Sequence, residues 1–284
     1  MPVVTNSYQF SFGGQSFGGT SSPYQIQSVD GLEGVPPLRV QDDNRGYADG
    51  SFTGQDFYSG RTITVNMLVL ANGATSAQTN LNTLQNTLKP QQSGTTPLYF
   101  IVPPSTEQFI NARVRAFRTT IDPDYTYGYI RVQIEFFCPN PFYFDSTLQT
   151  ASLVVSNPLG RTYNRTYNLT YGGGSLATTT AVTNSGRTTA YPTITLNGPI
   201  TNPILGNVTQ GNYLSFTGTY SNTDSLVVDL YNKLVTLNGV TARNLLTSGS
   251  WFSAPVGTSQ FYMTGTGTLA GTTTATVSWY NTYV

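Results

Sequence analysis

The chain has 284 residues, in which 13 Lys plus Arg balance 13 Asp plus Glu, with one cysteine and no histidine. The length suits two domains, because single hydrophobic cores usually stop growing near ~250 residues. Lacking histidine, the chain cannot build a Ser-His-Asp or Cys-His catalytic site and has no access to the commonest zinc ligand; zero net charge without a basic run gives no support for phosphate-driven nucleic-acid binding.

From the N-terminus, Met1 to Phe10 has neither a basic n-region nor an apolar h-region, which predicts no secretory signal and folding in the cytoplasm. No apolar stretch approaches the ~20 residues of a membrane-spanning helix, so no membrane insertion is expected. Short runs rich in aromatic and β-branched residues, separated by Gly, Pro and Asn, predict antiparallel β structure. In the first half the strands are read at Tyr8 to Phe12, Tyr24 to Val29, Arg61 to Leu70, Leu98 to Val102, Gln108 to Arg118 and Tyr129 to Phe137. The FGGQSFGG segment, Phe12 to Gly19, lacks the Lys-Ser/Thr of a phosphate loop and reads as a flexible hairpin tip whose two phenylalanines dock on a neighbour. The DDNRGYADG segment, Asp42 to Gly50, clusters oxygen ligands, but Gly46 stands where a calcium loop needs a ligand, and a solvated loop is expected.

Arg61 to Leu70 alternates cleanly, with Ile63, Val65, Met67 and Val69 on one face. From Ser76 to Lys89 the period changes: Leu81, Leu84 and Leu88 fall at helical spacing, Thr75 or Ser76 can serve as N-cap, and Pro90 ends the run. Its leucine stripe is expected to pack on the sheet. The FFCPNPFYF run, Phe136 to Phe144, carries two prolines that cannot join a central ladder and places a domain boundary just after it. The expected domains are residues 1–145, a β-sandwich or barrel-like domain with one helix, and residues 146–284, a β-sandwich.

The stretch NRTYNLTYGGGSLATTT reads as a strand and a glycine-rich loop, and its sequons at Asn164 and Asn168, with that at Asn207, are expected by chance in an Asn/Thr-rich chain. Strands return at Thr193 to Leu196, Tyr213 to Phe216, Ser225 to Leu230, Leu234 to Leu237, Gln260 to Met263 and Thr274 to Tyr280, a spacing typical of sandwiches. SLVVDL and LVTLNG flank Tyr231, Asn232 and Lys233 as a hairpin, with Asn238-Gly239 opening the next turn.

Few residues invite chemistry. Asp122 and Asp124 flank Pro123 in a turn, Asp224 and Asp229 bracket a strand, and Glu135 sits inside one, so turn and strand-edge roles explain them better than a paired-carboxylate site. Cys138 has no partner for an internal disulfide. Trp251, Phe252 and Tyr262 are the candidate carbohydrate or partner surface, with sandwich core as the competing reading. No catalytic, cofactor or metal site is expected. Charged residues make up only 9% of the chain, against a usual share of about 25%, so neutral hydrogen-bonding groups cover the surface and charge repulsion does little to keep copies apart.

The order of parts resembles the distal tail protein family of siphophages. In the first half the likeness rests on RGYADGSFTGQDFYSGRTITVNMLVLA, Arg45 to Ala71, on the helix after it and on IRVQIEFFCPNPFYF. In the second it rests on TNPILGN, on YLSFTGTYSNTDSLVVDLYNKLVTLNGV and on SGSWFSAPVGTSQFYMTG. These are similar to the family's galectin-like C-terminal domain; the family's Pro-Gly-x-Asn turn is replaced here by Pro255, Val256, Gly257 and Thr258. The resemblance implies a mainly β fold and a homohexameric ring joining the tail tube protein to a tail tip or hub protein. It also implies a channel for DNA passage, a platform for receptor-binding proteins, and a place in the virion after assembly in the host cytoplasm. A carbohydrate-binding adhesin or receptor-binding tail protein is the alternative, and a tail-associated wall hydrolase is a third reading.

Overall fold

The computed structural model describes residues 4, 7–19, 21–103, 105–155, 178–266 and 273–284. The predicted strand and glycine-rich loop at 164–177, with Asn164 and Asn168, lies outside the described residues. The chain divides into two compact units, one of Met1–Ser146 with Tyr283–Val284 and one of Thr147–Thr282. Both are β-rich. Among the described residues no helix is long and apolar enough to cross a membrane.

The first unit contains β1 (Phe10–Phe12), β2 (Gln15–Phe17), β3 (Tyr24–Asp30), β4 (Leu38–Arg39), β5 (Asp43–Asn44), β6 (Ser51–Phe52) and β7 (Phe57–Tyr58). It continues through β8 (Arg61–Leu70), the helix α1 (Ala74–Thr87), β9 (Thr96–Phe100), β10 (Gln108–Thr120), β11 (Tyr129–Cys138) and β12 (Tyr143–Asp145). Its main sheet runs β2-β1-β9-β10-β11-β8-β3, antiparallel throughout, with β12 added to β10. β10 is the pivot. Gln108 to Ala112 pairs with β9, Arg113 to Thr120 pairs with β11, and a bulge falls between Val114 and Ala116. Such a bulge bends and twists its strand. The curled sheet brings its two ends together, and Gly18 N–H donates to the Tyr24 carbonyl at 2.7 Å.

The strand alternation read from sequence sets the core. Ile63, Val65, Met67 and Val69 of β8 and Ile130, Val132, Ile134 and Phe136 of β11 are buried. The β1–β2 hairpin turns through Gly13 and Gly14, at φ +57 and +84, the paired left-handed conformation that a two-residue turn requires. Here the expectation of outward phenylalanines is corrected: Phe12 and Phe17 are buried, at 5.0 and 6.5 Å between ring centroids from Phe136. Registry decides this, because on a three-residue strand Phe10 and Phe12 share the face turned to the core.

Helix α1 covers that core with Ala77, Leu81 and Leu84, and Leu88 just beyond it is also buried. Its start differs from the reading at Thr75 or Ser76. Gly73 occupies the N-cap at φ +87, no side chain caps the end, and both candidates lie inside the helix. The helix's threonines instead bond backward, Thr79, Thr83 and Thr87 each donating to the carbonyl four residues earlier at 3.0–3.2 Å.

The second unit contains β13 (Gln149–Val154), β14 (Thr179–Asn184), β15 (Thr193–Asn197), β16 (Ile200–Asn207), β17 (Asn212–Phe216), β18 (Thr219–Tyr220) and β19 (Ser225–Asp229). β20 (Leu234–Leu237), β21 (Val240–Thr241), β22 (Leu246–Gly249), β23 (Gly257–Thr266), β24 (Thr274–Trp279) and β25 (Thr282–Tyr283) complete the chain. One sheet runs β13-β24-β15-β19-β20-β21 and the other β14-β23-β16-β17-β22, and their inward residues form a single apolar core. That is a sandwich. Alternation again sorts the faces: Ile194 and Leu196, Leu226 and Val228, Phe261 and Met263, Ala275 and Val277 are inside.

The predicted hairpin is β19–β20, closed by the Asp229–Leu234 pair. Asp229 Oδ1 accepts from the Tyr231 and Asn232 amides at 2.9 Å each, which explains its place at the strand end. Asn238 and Gly239, at φ +51 and +81, make the following two-residue turn into β21. Asn238 also ties the turn to Asp224. Its Nδ2 donates to Asp224 Oδ1 at 2.9 Å, its Oδ1 accepts from Ser225 N–H, and Asp224 Oδ2 accepts from the Ser221 amide and hydroxyl at 2.7 Å.

Two outcomes follow. Phe136→Ala should lower the unfolding free energy by about 3–5 kcal/mol, the usual loss for a buried Phe, in a urea titration followed by tryptophan-independent circular dichroism. The hydrogen bonds from Asn238 and Ser221 hold the Asp224 carboxyl below its usual range, so its contribution is present at neutral pH and is lost as pH falls through that lowered value. Asp224→Asn should therefore lower the melting temperature at pH 7 and leave it unchanged near pH 2.

Candidate interaction surfaces

Among the described residues no group of three or more Cys, Asp or Glu is placed to hold a metal ion. Burial pushes the Cys138 thiol up to about 12, against the opposing pull of Arg61, so it is not a ready nucleophile. Asp122 caps the 3-10 turn Pro123–Tyr127, and both it and Asp124 pair with Arg131, while Glu135 pairs with Arg118 at 2.6 Å. Each of these carboxylates is accounted for by a turn or a neighbouring cation.

The most prominent surface feature is an arm between β3 and β8. The stretch expected as a solvated loop, Asp42 to Gly50, is exposed throughout, and it forms the tip of a long ribbon. β4 pairs with β7 and β5 with β6, so the chain runs out, turns at 45–50 and runs back. Every residue from 37 to 59 is exposed, including Leu38, Val40, Tyr47, Phe52, Phe57 and Tyr58. Near its root Tyr58 meets the Phe142 ring edge-on at 6.0 Å, and further out the arm is held by local contacts: Arg39 stacks over Phe57 at 5.4 Å, Arg45 over Phe52 at 5.0 Å, and Gly54 N–H donates to Asp42 Oδ1. A two-stranded ribbon without a core is marginal alone.

Its root, by contrast, is fixed from inside the unit. Arg61, 2% exposed, donates through Nη1 to the Gly31 and Leu32 carbonyls and to the Tyr143 hydroxyl, and its guanidinium lies 4.5 Å from the Tyr143 ring centroid. Tyr143 donates in turn to the Leu32 carbonyl. One buried cation therefore joins the residues where the arm leaves the sheet to the residue where it returns. Burial keeps the Tyr143 hydroxyl protonated, raising its pKa well above the ordinary value.

Beside the root, Tyr8, Phe10, Ile26, Val29, Leu32 and Val102 line an open cavity of about 520 Å³, with Glu33 and the amides of Gln25 and Gln27 among its polar groups. The cavity borders β3, the last strand of the sheet, where a register shift falls between Ile26 and Ser28. None of the residues 37–59 of the same chain enters it.

Of the three aromatic residues singled out from sequence in the second unit, Phe252 lies in the core, and Trp251 and Tyr262 are partly exposed. Phe252 is buried, with its ring edge-on to Phe261 at 5.3 Å, so it belongs to the core between the sheets. Trp251 is half-buried against that core under the Arg243 guanidinium, 4.9 Å from its ring. Tyr262 points to the opposite face of β23 from Phe261 and lies across Gly206, where a Cβ would stand 2.4 Å from its ring. Asn207 is buried, its Nδ2 donating to the Ser253 carbonyl and its Oδ1 accepting from Thr209 N–H, so the described sequon has no amide available for a glycan. Where the turn after Trp251 departs from the resembled pattern, Gly257 at φ +98 opens β23.

Residues 185–283 match a family model described as the siphovirus-type tail component, C-terminal domain. No curated protein matches the sequence. Among solved structures, the SPP1 Dit (gp 19.1) protein, described as a paradigm of the hub adsorption apparatus in phages infecting Gram-positive bacteria, aligns at TM-score 0.68 and 16% identity over 97% of this chain and 99% of its own. A chain of the phage P2 baseplate in its Ca-activated conformation aligns at TM-score 0.49 and 9% identity, covering 93% of each chain. The Sr form of the phage p2 baseplate gives TM-score 0.48 and 10% identity over 95% of this chain and 97% of that one. The resemblance read from sequence is thereby matched in both halves: the chain has the fold of the SPP1 Dit protein over 97% of its length, and residues 185–283 of its second unit match the model of the siphovirus-type tail component, C-terminal domain.

Proposed function

We propose that this chain is a distal tail protein of a long-tailed bacteriophage, a structural component of the virion without catalytic activity. Six copies form a ring that joins the tail tube to the tail tip, leaves a channel for DNA and serves as the hub on which adhesion or receptor-binding proteins assemble. The observation that carries this reading is the end-to-end correspondence with the SPP1 Dit protein, at 97% and 99% coverage, together with the family match over residues 185–283.

The physics of the chain agrees with assembly. A surface almost free of net charge does not hold copies apart, and the sheet of the first unit ends in strands whose backbone groups a neighbouring subunit can cover. A carbohydrate-adhesin reading would rest on Trp251 and Tyr262, since Phe252 lies in the core.

Native mass spectrometry and negative-stain imaging of the purified protein should give closed rings of six 30.7 kDa chains. A protein that stays monomeric at tens of micromolar would overturn the ring. Zymography on host cell walls should show no clearing band, and a band would overturn the non-catalytic assignment.

A further inference from the structure

The sheet β14-β23-β16-β17-β22 turns Leu205, Leu214, Phe216, Phe261 and Met263 to the core of the second unit. None of its strands, nor β18 beside β16, contains an Asp, Glu, Lys or Arg. On the opposite side two rows of cross-strand partners lie next to each other, Tyr262–Gly206–Tyr213 and Thr264–Ile204–Ser215, because residues two apart on a strand share a face. Glycine leaves the middle of the first row without a side chain, and Tyr262 fills it. A Cβ at 206 would meet its Cε1, Cζ and Oη at 2.4, 2.5 and 2.6 Å, so the phenol half of the ring lies across the glycine with its other face turned away from the sheet. Covering a glycine is a stabilising device in its own right. It accounts for Tyr262 but not for Tyr213, which stands 43% exposed on the other side of Gly206. The two phenols are close neighbours: burial first, and then Tyr213, raises the Tyr262 pKa, which keeps its hydroxyl protonated as a donor. Neither hydroxyl has a hydrogen-bond partner among the described residues.

We propose that this face of the second unit is a binding site for a neutral polysaccharide, whose pyranose rings stack on the Tyr262–Tyr213 pair over Gly206 while Gln260, Thr264 and Ser215 hydrogen-bond their hydroxyls. The chemistry of the face selects the ligand. A pyranose has an apolar C–H face and a rim of neutral hydroxyls; tyrosine offers it an aromatic plane and a phenol, and the amide and hydroxyl side chains beside it can both donate and accept. Gln260 and Thr264 share the side of β23 that carries Tyr262, and Ser215 shares the side of β17 that carries Tyr213. An anionic polymer finds no cation on this sheet, and a charged protein patch finds no counterpart that would fix its register. Tyr262 is already held against Gly206, so little side-chain freedom is lost when a sugar ring settles on it. The site does not include Trp251, and it adds a ligand to the structural role without depending on the ring.

The test is isothermal titration calorimetry of the full chain with cellohexaose, maltohexaose and a neutral galactan oligosaccharide, and with poly(glycerol phosphate) as the charged comparison, at concentrations up to several millimolar. At least one neutral saccharide should bind saturably, and poly(glycerol phosphate) should not. Tyr213→Ala and Tyr262→Ala should each weaken that binding at least roughly fivefold, the loss expected for an aromatic contact. Gly206→Ala keeps both tyrosines and has only to displace the far end of the Tyr262 side chain, so it should fold and still weaken binding. Tyr231→Ala, an exposed tyrosine in the β19–β20 turn, should leave the affinity unchanged. Circular dichroism checks each fold; Tyr213 is exposed, so its variant decides the matter if Tyr262→Ala melts. No binding by any of the three neutral saccharides, binding of poly(glycerol phosphate) alone, or affinity undiminished in Tyr213→Ala would overturn the site. Saccharide binding by a protein that stays monomeric would uphold it while overturning the ring.

Discussion

β10 carries the first unit's architecture because one strand serves two sets of partners. Its first five residues complete the ladder with β9, its last eight complete the ladder with β11, and the bulge at Arg115 lets the strand bend between them. A straight strand would leave an open sheet with one apolar face in water. The bend instead curls the sheet around Phe10, Phe12, Phe17 and Phe136, and α1 closes what remains. Everything else in the unit inherits its position from this closure, including the meeting of Gly18 with Tyr24 and the cavity that opens beside β3.

The arm is the counterpart of that closure. Once β3 and β8 are neighbours in the curled sheet, residues 37–59 of the connection between them have no place in the core and stand off it. They do so as a ribbon with apolar side chains exposed, which a monomer designed for solubility would avoid. Arg61 decides that the ribbon leaves in one direction. A buried guanidinium with Nε and Nη2 unpartnered is costly, and its retention at the root of the arm is explained by the three acceptors it joins. The same economy of charge runs through the second unit, where Asn184 and Asn207 are buried but each amide bridges loops through the backbone. Neutral polar groups do there what ion pairs do elsewhere.

The sequence by itself determined the classes of element and the limits on chemistry. Period-two alternation at Arg61 to Leu70 and Tyr129 to Phe137, helical spacing of Leu81, Leu84 and Leu88, and the Asn238-Gly239 turn are local signals, and the structure has each of them where it was read. The absence of histidine removed triads and the main zinc ligand before any geometry was known. Strands without clean alternation, such as Gln149–Val154 and Ile200–Asn207, were not legible, the latter because Asn202 at φ +48 and Pro203 break its pattern with a bulge. Only the tertiary structure decided which way side chains of equal hydrophobicity face. Phe12, Phe17 and Phe252 turned inward, while Phe52, Phe57 and Tyr58 remained outside. The reason is physical: alternation says that one face of a strand is apolar, but whether that face finds a partner depends on sheet closure far away in sequence. The arm shows this most plainly, since its aromatic residues look like core vocabulary and only the closure through β10 leaves them without a core to join.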